Sequence, residues 1–459
     1  MIYCRFFAVQ LFSVFTFGFV LVQLVSARSP YYFYSSISQE TTLNYLSRTI
    51  HWTPPYNDVS LDKYVDRVGF DRFFSETVDL GAKMILQAEN TWRNSSITPL
   101  DIARLQPILT QTHALDPEVI FNVFIAERVN KDYVNSISIP EYVFAAFDQP
   151  VVSRNFNYDL MFDNSWPYLD IWGQNNSPPD LTQLESQMWY YYYSTLYIDA
   201  GFESIWLGQI YVIAEHDSGY VATNTLVSKI REYARSHARR KYILVISHQL
   251  GDVAYAGSPI FDHLFYVTHF GLDSNGDMKA FLPSEFSINC DYYLDFCKYY
   301  QKHPLNHDIP LLLMFDNGGA MTDPYYPQLN GYDPITYFAT RPKAKRNEYI
   351  SRIEGELYQQ YVGARFAPPV TMLATFTSDR RLCPDDNGVY RLPFANDYEA
   401  LSCGDIEVVR EYFNNFHFLT GDFDNNGVVN IFDYNTLVQD YGKIYSIFNY
   451  NNLVSNYPR

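Results

Sequence analysis

Short apolar runs separated by longer amphipathic segments repeat along the chain from about Leu61 onward. Each run is continuous and rich in β-branched or aromatic residues, which is typical of parallel strands that are buried on both faces. The sequence therefore predicts strands over residues 83–89, 119–127, 204–213, 242–248, 263–270, 310–316 and 370–377.

The segments between these runs have the apolar spacing and the end signals of helices. Thr98 followed by Pro99 is a typical N-cap with proline in the first turn. Two of the segments end on glycine, and another carries Arg and Lys in its last turns, where the helix dipole favours cations. Helices are therefore predicted over residues 100–113, 181–201, 224–241 and 346–363.

Strands alternating with helices indicate an α/β fold with a parallel sheet. We predict a TIM-type (β/α)8 barrel over residues 28–418 of the 459-residue chain. Its eighth strand lies either in the N-terminal stretch or in a run that the pattern does not reveal. A doubly wound open sheet is the alternative, but no Gly-rich phosphate loop follows any of the apolar runs.

The N-terminal residues 1–27 have the pattern of a secretory signal peptide. Arg5 precedes an apolar run that extends to Val25, and Val25-Ser26-Ala27 offers a cleavage site. We therefore expect a secreted, extracellular protein with no membrane segment after cleavage. An uncleaved membrane anchor is the alternative, because the run is long enough to span a bilayer.

Secretion changes how the cysteines are interpreted, because extracellular thiols are usually paired. Four cysteines remain after cleavage, and they allow three pairings. The pairs Cys290–Cys297 and Cys383–Cys403 would each close a local loop and are the simplest choice. Free buried thiols are the alternative.

The net charge of −18 argues against a nucleic-acid partner, because binding to phosphates needs a basic face. It argues equally against adhesion to anionic membranes. Aromatic residues make up 18% of the chain. Flat rings suit the faces of sugars, and they also suit an ordinary core.

Three predicted strands end in a carboxylate, namely Glu89, Glu127 and Asp316. In a barrel of this type the reacting groups lie at the C-terminal ends of the strands. Two carboxylates that face one pocket can hydrolyse a glycosidic bond as general acid and as nucleophile or base. We expect Glu127 and Asp316 to form this pair, with Glu89 as the substitute. For each carboxylate alone, an ion pair or a helix cap is the alternative.

Five motifs together resemble a group of secreted microbial barrel proteins that are placed near the glycoside hydrolases. They are FIAER (124–128), RNFNYD (154–159), DIWG (170–173), YIDAGFESIWLGQ (197–209) and MFDNGG (314–319). The resemblance covers about residues 80–415 and weakens around 250–290. It implies that Glu127 and Asp316 occupy recurrent strand ends. It also implies that four residues around them bind substrate, namely Arg154, Trp172, Gln209 and His248.

The C-terminal segment 419–459 contains a loop with the ligand spacing of an EF-hand. Gly427 permits its sharp turn, and oxygen ligands at these offsets indicate Ca²⁺. The predicted ligands are Asp422, Asp424, Asn426, the carbonyl of Val428, Asn430 and Asp433. An Asp/Asn-rich turn without metal is the alternative.

This loop is similar to the type I dockerin repeat, which occurs as a tandem of two loop–helix units. Residues 431–441 and 447–457 share seven of eleven positions, but no ladder of Asp residues precedes the second copy. The resemblance therefore implies a small helical module with one calcium site. It also implies a cohesin-like partner, which the truncated second repeat makes a weaker expectation.

Together these features predict a secreted glycoside hydrolase-like protein that acts on polysaccharide. The alternative is a non-catalytic carbohydrate-binding or extracellular interaction protein that keeps the barrel without its chemistry.

Overall fold

The computed structural model describes residues 29–52, 60–92, 97–248, 253–266, 270–280, 309–315, 329, 334–361, 363–371 and 406–415. Several predicted features lie outside these residues. They are the signal peptide, the four cysteines of the predicted disulfides, Asp316 and the calcium loop with its dockerin-like repeat.

A closed barrel of parallel strands forms the centre of the molecule. Its strands are β1 (Thr49–Trp52), β2 (Met84–Asn90), β3 (Ile120–Ile125), β4 (Ser204–Gln209), β5 (Leu244–His248), β6 (His263–Tyr266), β7 (Leu311–Met314) and β8, which has two segments, Ala364–Ala367 and Pro369–Thr371. Each strand is hydrogen-bonded to the next in chain order.

The two segments of β8 close the barrel. The first pairs with β7 and the second with β1, so the nine segments of the sheet make eight strands. Pro368 separates the two segments, and its carbonyl accepts a hydrogen bond from the His51 amide at 2.9 Å. The structure therefore confirms the (β/α)8 barrel rather than the open sheet. The eighth strand, whose position the sequence left open, is β1 near the N-terminus.

Alternate residues along the strands point to opposite sides of the barrel wall. One set fills the barrel interior, where the rings of Phe124, Trp206 and Phe265 pack with centroids 4.2 and 4.3 Å apart. The other set, which includes Val123 and Leu207, packs against the surrounding helices. The barrel interior is thus a packed core, and chemistry is left to the strand ends and the loops that follow them.

Helices cover the outside of the barrel and occupy its connections. They are α1 (Gln39–Leu46), α2 (Leu61–Val68), α3 (Phe70–Thr77), α4 (Pro99–Ala103), α5 (Gln106–Leu115), α6 (Lys131–Val134), α7 (Glu141–Ala146), α8 (Leu184–Ala200), α9 (Ile210–Ile213), α10 (Val221–His237), α11 (Pro334–Ala339), α12 (Lys343–Gln360) and α13 (Ile406–Asn415). Short 3₁₀ turns occur at Val78–Leu80, Tyr158–Leu160 and Ser218–Tyr220.

The predicted helices are present within a few residues. The first one is split into α4 and α5, and it begins with a capping box in which Thr98 and Asp101 hydrogen-bond each other's backbone amides. Of the predicted strand over 370–377, the described residues 370 and 371 belong to β8, and residues 372–377 lie outside the described part of the chain. Among the described helices, none is long and apolar enough to cross a membrane.

Within the described residues, three short antiparallel strand pairs lie outside the barrel sheet. They are Val129–Asn130 with Asn176–Ser177, Ala254–Tyr255 with Ser258–Pro259, and Phe270–Leu272 with Met278–Ala280. The first pair matters for the site, because it fastens the long β3–α8 connection to the end of β3.

Candidate functional site

Glu127 lies two residues after the end of β3 and is fully buried against the end of β4. Its Oε2 accepts a hydrogen bond from the Gln209 amide at 3.3 Å. Gly208 has a φ of +47°, and a Cβ atom at this position would lie 2.6 Å from the same Oε2. Only glycine lets the β4 backbone approach the carboxylate this closely.

The backbone of β4 is irregular at this point, and side-chain donors hold it in place. Its register with β5 shifts between Trp206 and Gln209. The carbonyl of Gly208 accepts hydrogen bonds from Trp206 Nε1 at 3.2 Å and from Ser247 Oγ at 3.1 Å. Because the carbonyl is fixed in this way, the next amide is directed at Glu127.

Tyr190 on helix α8 lies close enough to Glu127 to be affected by its charge. Tyr190 on this helix is fully buried, and burial raises the pKa of its hydroxyl well above the usual value. The nearby charge of Glu127 raises the pKa of Tyr190 further. Glu127 is therefore buried beside the end of β4 and near Tyr190, with little access to water.

Glu89 has a different environment from the one expected at the barrel mouth. It pairs in register with Val123, whose side chain belongs to the layer between barrel and helices. Its Oε2 accepts a hydrogen bond from the Leu61 amide at 3.2 Å, at the first residue of α2. The structure thus places Glu89 as a buried acceptor at a helix N-terminus, which was the alternative interpretation of such a carboxylate.

Removal from water dominates the electrostatics of Glu89. Its side chain is fully buried, and this burial raises the pKa of Glu89 to about 8. The hydrogen bond from Leu61 lowers the pKa only in part. The carboxyl is therefore held mostly neutral at pH 7 by its position in the outer layer.

Gln209 and His248 are register partners on the adjacent strands β4 and β5. The side-chain oxygen of Gln209 accepts a hydrogen bond from the Tyr211 hydroxyl at 2.6 Å. The Tyr211 ring meets the imidazole of His248 edge to face, with centroids 5.6 Å apart. These three side chains form one polar group, so two residues of the predicted substrate-binding set come together here.

Trp172 contributes to an aromatic corner above the end of β2. Its ring and that of Trp92 lie edge to face at 4.7 Å, and the guanidinium of Arg128 lies 6.0 Å from the centre of the Trp92 ring. Arg128 Nη2 also donates to Asn176 Oδ1 at 3.1 Å, which anchors the β3–α8 connection. Both indole rings are half-buried, so part of each faces solvent.

Arg154 is engaged in an ion pair. Its guanidinium binds the Glu185 carboxylate with both terminal nitrogens, at 2.7 and 2.8 Å. Glu185 is nearly buried in the first turn of α8 and also accepts from the Asn157 amide at 2.7 Å. This arrangement fastens the β3–α8 connection to α8, which is a structural use for a residue expected to bind substrate.

Sequence reasoning missed several polar residues that line the barrel. His51 Nε2 lies 3.3 Å from Gln87 Oε1, and the Gln87 amide donates to Asn122 Oδ1 at 3.2 Å. The Trp92 amide donates to Asn90 Oδ1 at 2.9 Å. The polar residues could have been found in the sequence because they interrupt otherwise apolar runs. Arg128 could have been found because it directly follows Glu127.

A small recess, partly open to solvent, lies beside the two residues that flank Glu127 in sequence. Ala126 and Arg128 line it, and so do Tyr133, Trp189 and Tyr193 from the surrounding helices.

Among the described residues, one cluster of ligating side chains could hold a metal ion, formed by Asp163, Asp180 and His216 on the connections that flank α8 and β4.

No family model matches the chain, and no curated protein matches it.

Glycoside hydrolases are found among the solved structures that resemble the chain. The glycoside hydrolase domain of PelA from Pseudomonas aeruginosa is 9% identical, with a TM-score of 0.32 over 70% of this chain and 94% of that one. Cyclic alpha-maltosyl-(1→6)-maltose hydrolase from Arthrobacter globiformis, in complex with maltose, is 10% identical, with a TM-score of 0.39 over 81% of each chain. The debranching enzyme from Nostoc punctiforme is 9% identical, with a TM-score of 0.39 over 81% of this chain and 80% of that one.

Proposed function

We propose that the barrel cleaves glycosidic bonds by carboxylate chemistry, with Glu127 and Asp316 as the reacting pair. The observation that carries this proposal is the position of Glu127. Its carboxylate follows a barrel strand, is shielded from water and is oriented by the Gln209 amide. Glycosidases need two carboxylates separated by roughly 5 to 9.5 Å.

The residues around Glu127 supply what a sugar-binding cleft requires. The half-buried indoles of Trp92 and Trp172 offer apolar faces to sugar rings. Gln209, Tyr211 and His248 offer hydrogen-bonding groups for hydroxyls. Glu89 is left out of the reacting pair, because its side chain caps α2 in the outer layer.

A second candidate function is carbohydrate binding without catalysis. It is favoured by the position of Glu89, because a side chain that caps α2 cannot serve as the second reacting carboxylate. Asp316 decides between the two functions. The hydrolase needs it as the partner of Glu127, whereas a binding protein does not.

Reducing-sugar release over a panel of neutral, cationic and anionic polysaccharides tests the proposal. We expect the wild-type protein to release sugar from at least one member, and Asp316→Asn to lower that rate by about 100-fold or more. Saturable glycan binding with no release from any member would contradict the hydrolase and favour the binding function.

We also propose that the segment from Asp422 to Asp433 binds one Ca²⁺ ion. Its ligand spacing supports this, because Gly427 occupies the turn position and oxygen-bearing residues occupy the ligand positions. We expect one Ca²⁺ per chain in calorimetric titration and loss of this binding in Asp422→Ala. Unchanged calcium binding in the variant would contradict the assignment.

Extracellular localisation belongs to the same proposal, and the N-terminal apolar run supports it. Expression in a secreting host should give a mature chain that begins near Arg28. An N-terminus at Met1 in the membrane fraction would indicate an uncleaved anchor. A cohesin-like partner is the weakest element, because the second repeat lacks its ligand ladder.

A further inference from the structure

Three ligating side chains meet on the connections that flank α8 and β4. Asp163 and Asp180 belong to the long segment between β3 and α8, and His216 follows the short helix after β4. One ligand atom from each lies within 4.8 Å of the other two. Asp180 is fully buried, His216 is half-buried and Asp163 is exposed, so the cluster has a buried side and a side open to solvent.

Each carboxylate is oriented by donors that occupy its other oxygen. Asp180 Oδ1 accepts from the Thr182 amide at 2.9 Å and from its hydroxyl at 2.8 Å. Asp163 Oδ1 accepts from the amide and hydroxyl of Ser165, both at 2.7 Å. Outer donors of this kind fix the ligands of metal sites.

The remaining oxygens converge on one nitrogen. His216 Nδ1 lies 3.2 Å from Asp180 Oδ2 and 3.4 Å from Asp163 Oδ2. Asp180 Oδ2 has one further contact, a long hydrogen bond of 3.4 Å from Gln183 Nε2. The ring of Trp166 meets that of His216 edge to face at 5.0 Å, which limits rotation of the imidazole.

The distances fit a shared metal ion, although His216 Nδ1 is also within hydrogen-bond distance of Asp180 Oδ2. Charge-assisted N–H···O bonds are about 2.7–2.9 Å long, shorter than both contacts of His216 Nδ1. A tetrahedral Zn²⁺ ion with Zn–N and Zn–O bonds of about 2.0–2.2 Å separates its ligands by about 3.4 Å. The two contacts of 3.2 and 3.4 Å match this separation.

The donor set also indicates which ion would bind. One imidazole with two carboxylates suits Zn²⁺ and related divalent transition metals, whereas Ca²⁺ and Mg²⁺ prefer oxygen ligands alone. Three protein ligands leave a fourth position for water, and the exposed side at Asp163 provides access to it.

We propose that Asp163, Asp180 and His216 form a binding site for a divalent transition-metal ion of the Zn²⁺ type. The bound ion joins the β3–α8 connection, which carries Trp172, to the segment that follows Gln209. It thereby stabilises this side of the barrel mouth whether or not the barrel hydrolyses sugars.

Calorimetric titration of the untagged, metal-stripped full chain with Zn²⁺, in an excess of Ca²⁺, tests this site. The Ca²⁺ fills sites made of oxygen ligands alone. The heat of Zn²⁺ binding therefore reports the site that contains the histidine nitrogen. We expect one Zn²⁺ per chain, and at least about tenfold weaker binding in His216→Ala and in Asp180→Asn. Asp180→Asn keeps an oxygen for the Thr182 donors, which preserves the local fold.

His237→Ala is the matched control, because His237 is an exposed histidine that stacks on Tyr233 outside the cluster. It should bind Zn²⁺ like the wild type. A second readout is the visible absorption of Co²⁺ in place of Zn²⁺, which should disappear in His216→Ala. Absence of stoichiometric binding in the wild type, or equal affinity in wild type and His216→Ala, would overturn the site.

Discussion

Gly208 shows how one backbone position controls the surroundings of Glu127. Its positive φ and its closeness to Oε2 leave no room for a Cβ atom, while its carbonyl is held by Trp206 and Ser247. A side chain here would displace the carboxylate, the β4 backbone or both. The residue therefore acts as a positioning residue for Glu127.

Gly208→Ala should destabilise the protein more than Gly219→Ala does. Both glycines have positive φ, at +47° and +72°, but a Cβ atom at Gly219 meets nothing within 4 Å. We expect a loss of about 1 kcal/mol in the free energy of unfolding for Gly219→Ala and about 2 kcal/mol or more for Gly208→Ala. Urea denaturation measures both. Equal losses would show that contact with Glu127 adds nothing.

Glu89 makes stability depend on pH. Its folded pKa of about 8 lies above the unfolded value of about 4.3, so its contribution is fully present at low pH. That contribution is lost as pH rises from about 4.3 through 8. Glu89→Gln cannot ionise and should gain stability relative to wild type by about 2–4 kcal/mol between pH 5 and pH 9. Urea denaturation across this range measures the stability of both proteins. A stability difference between Glu89→Gln and wild type that does not change with pH would contradict this role of Glu89.

Connections between elements depend on a few charged groups. The pair of Arg154 and the nearly buried Glu185 ties the β3–α8 connection to the start of α8. Arg154→Met should cost about 1–2 kcal/mol of unfolding free energy, because it leaves Glu185 without its charged partner. Lys131→Met is the control, since Lys131 forms an exposed pair with Asp159 and should cost under about 0.5 kcal/mol. Equal losses of stability in the two variants would contradict the role of the Arg154–Glu185 pair in holding the β3–α8 connection to α8.

Most strands could be predicted because buried parallel strands form continuous apolar runs. β1 was missed because its four residues include Thr49 and His51. The first segment of β8 was missed because Pro368 and Pro369 follow it, and proline normally ends a strand.

The site was harder to predict than the fold. Both faces of a barrel strand are apolar, so the sequence does not show that Glu89 faces the helices. The pairing of Arg154 with Glu185 is likewise invisible, because 31 residues separate the two in sequence. Glu127 was found because it directly follows a long apolar run.

Closure of the barrel links its first and last strands. β1 fills the gap between β2 and β8, so its removal would expose two strand edges. A chain without residues 1–52 should therefore lose cooperative thermal unfolding, whereas a chain without residues 1–28 should keep it. Circular dichroism during heating measures this. Cooperative melting of the shorter chain would contradict the closed barrel.

We propose that Glu127 takes part in catalysis, and Glu89 provides its control. Both are fully buried glutamates at the ends of neighbouring barrel strands, and each accepts a hydrogen bond from a backbone amide. The decisive measurement is the rate of reducing-sugar release by Glu127→Gln and Glu89→Gln on the polysaccharide that the wild type cleaves. We expect Glu127→Gln to lose about 100-fold or more and Glu89→Gln to stay within about threefold of wild type. Equal rates in the two folded variants, or a Glu127→Gln variant as active as wild type, would contradict the account.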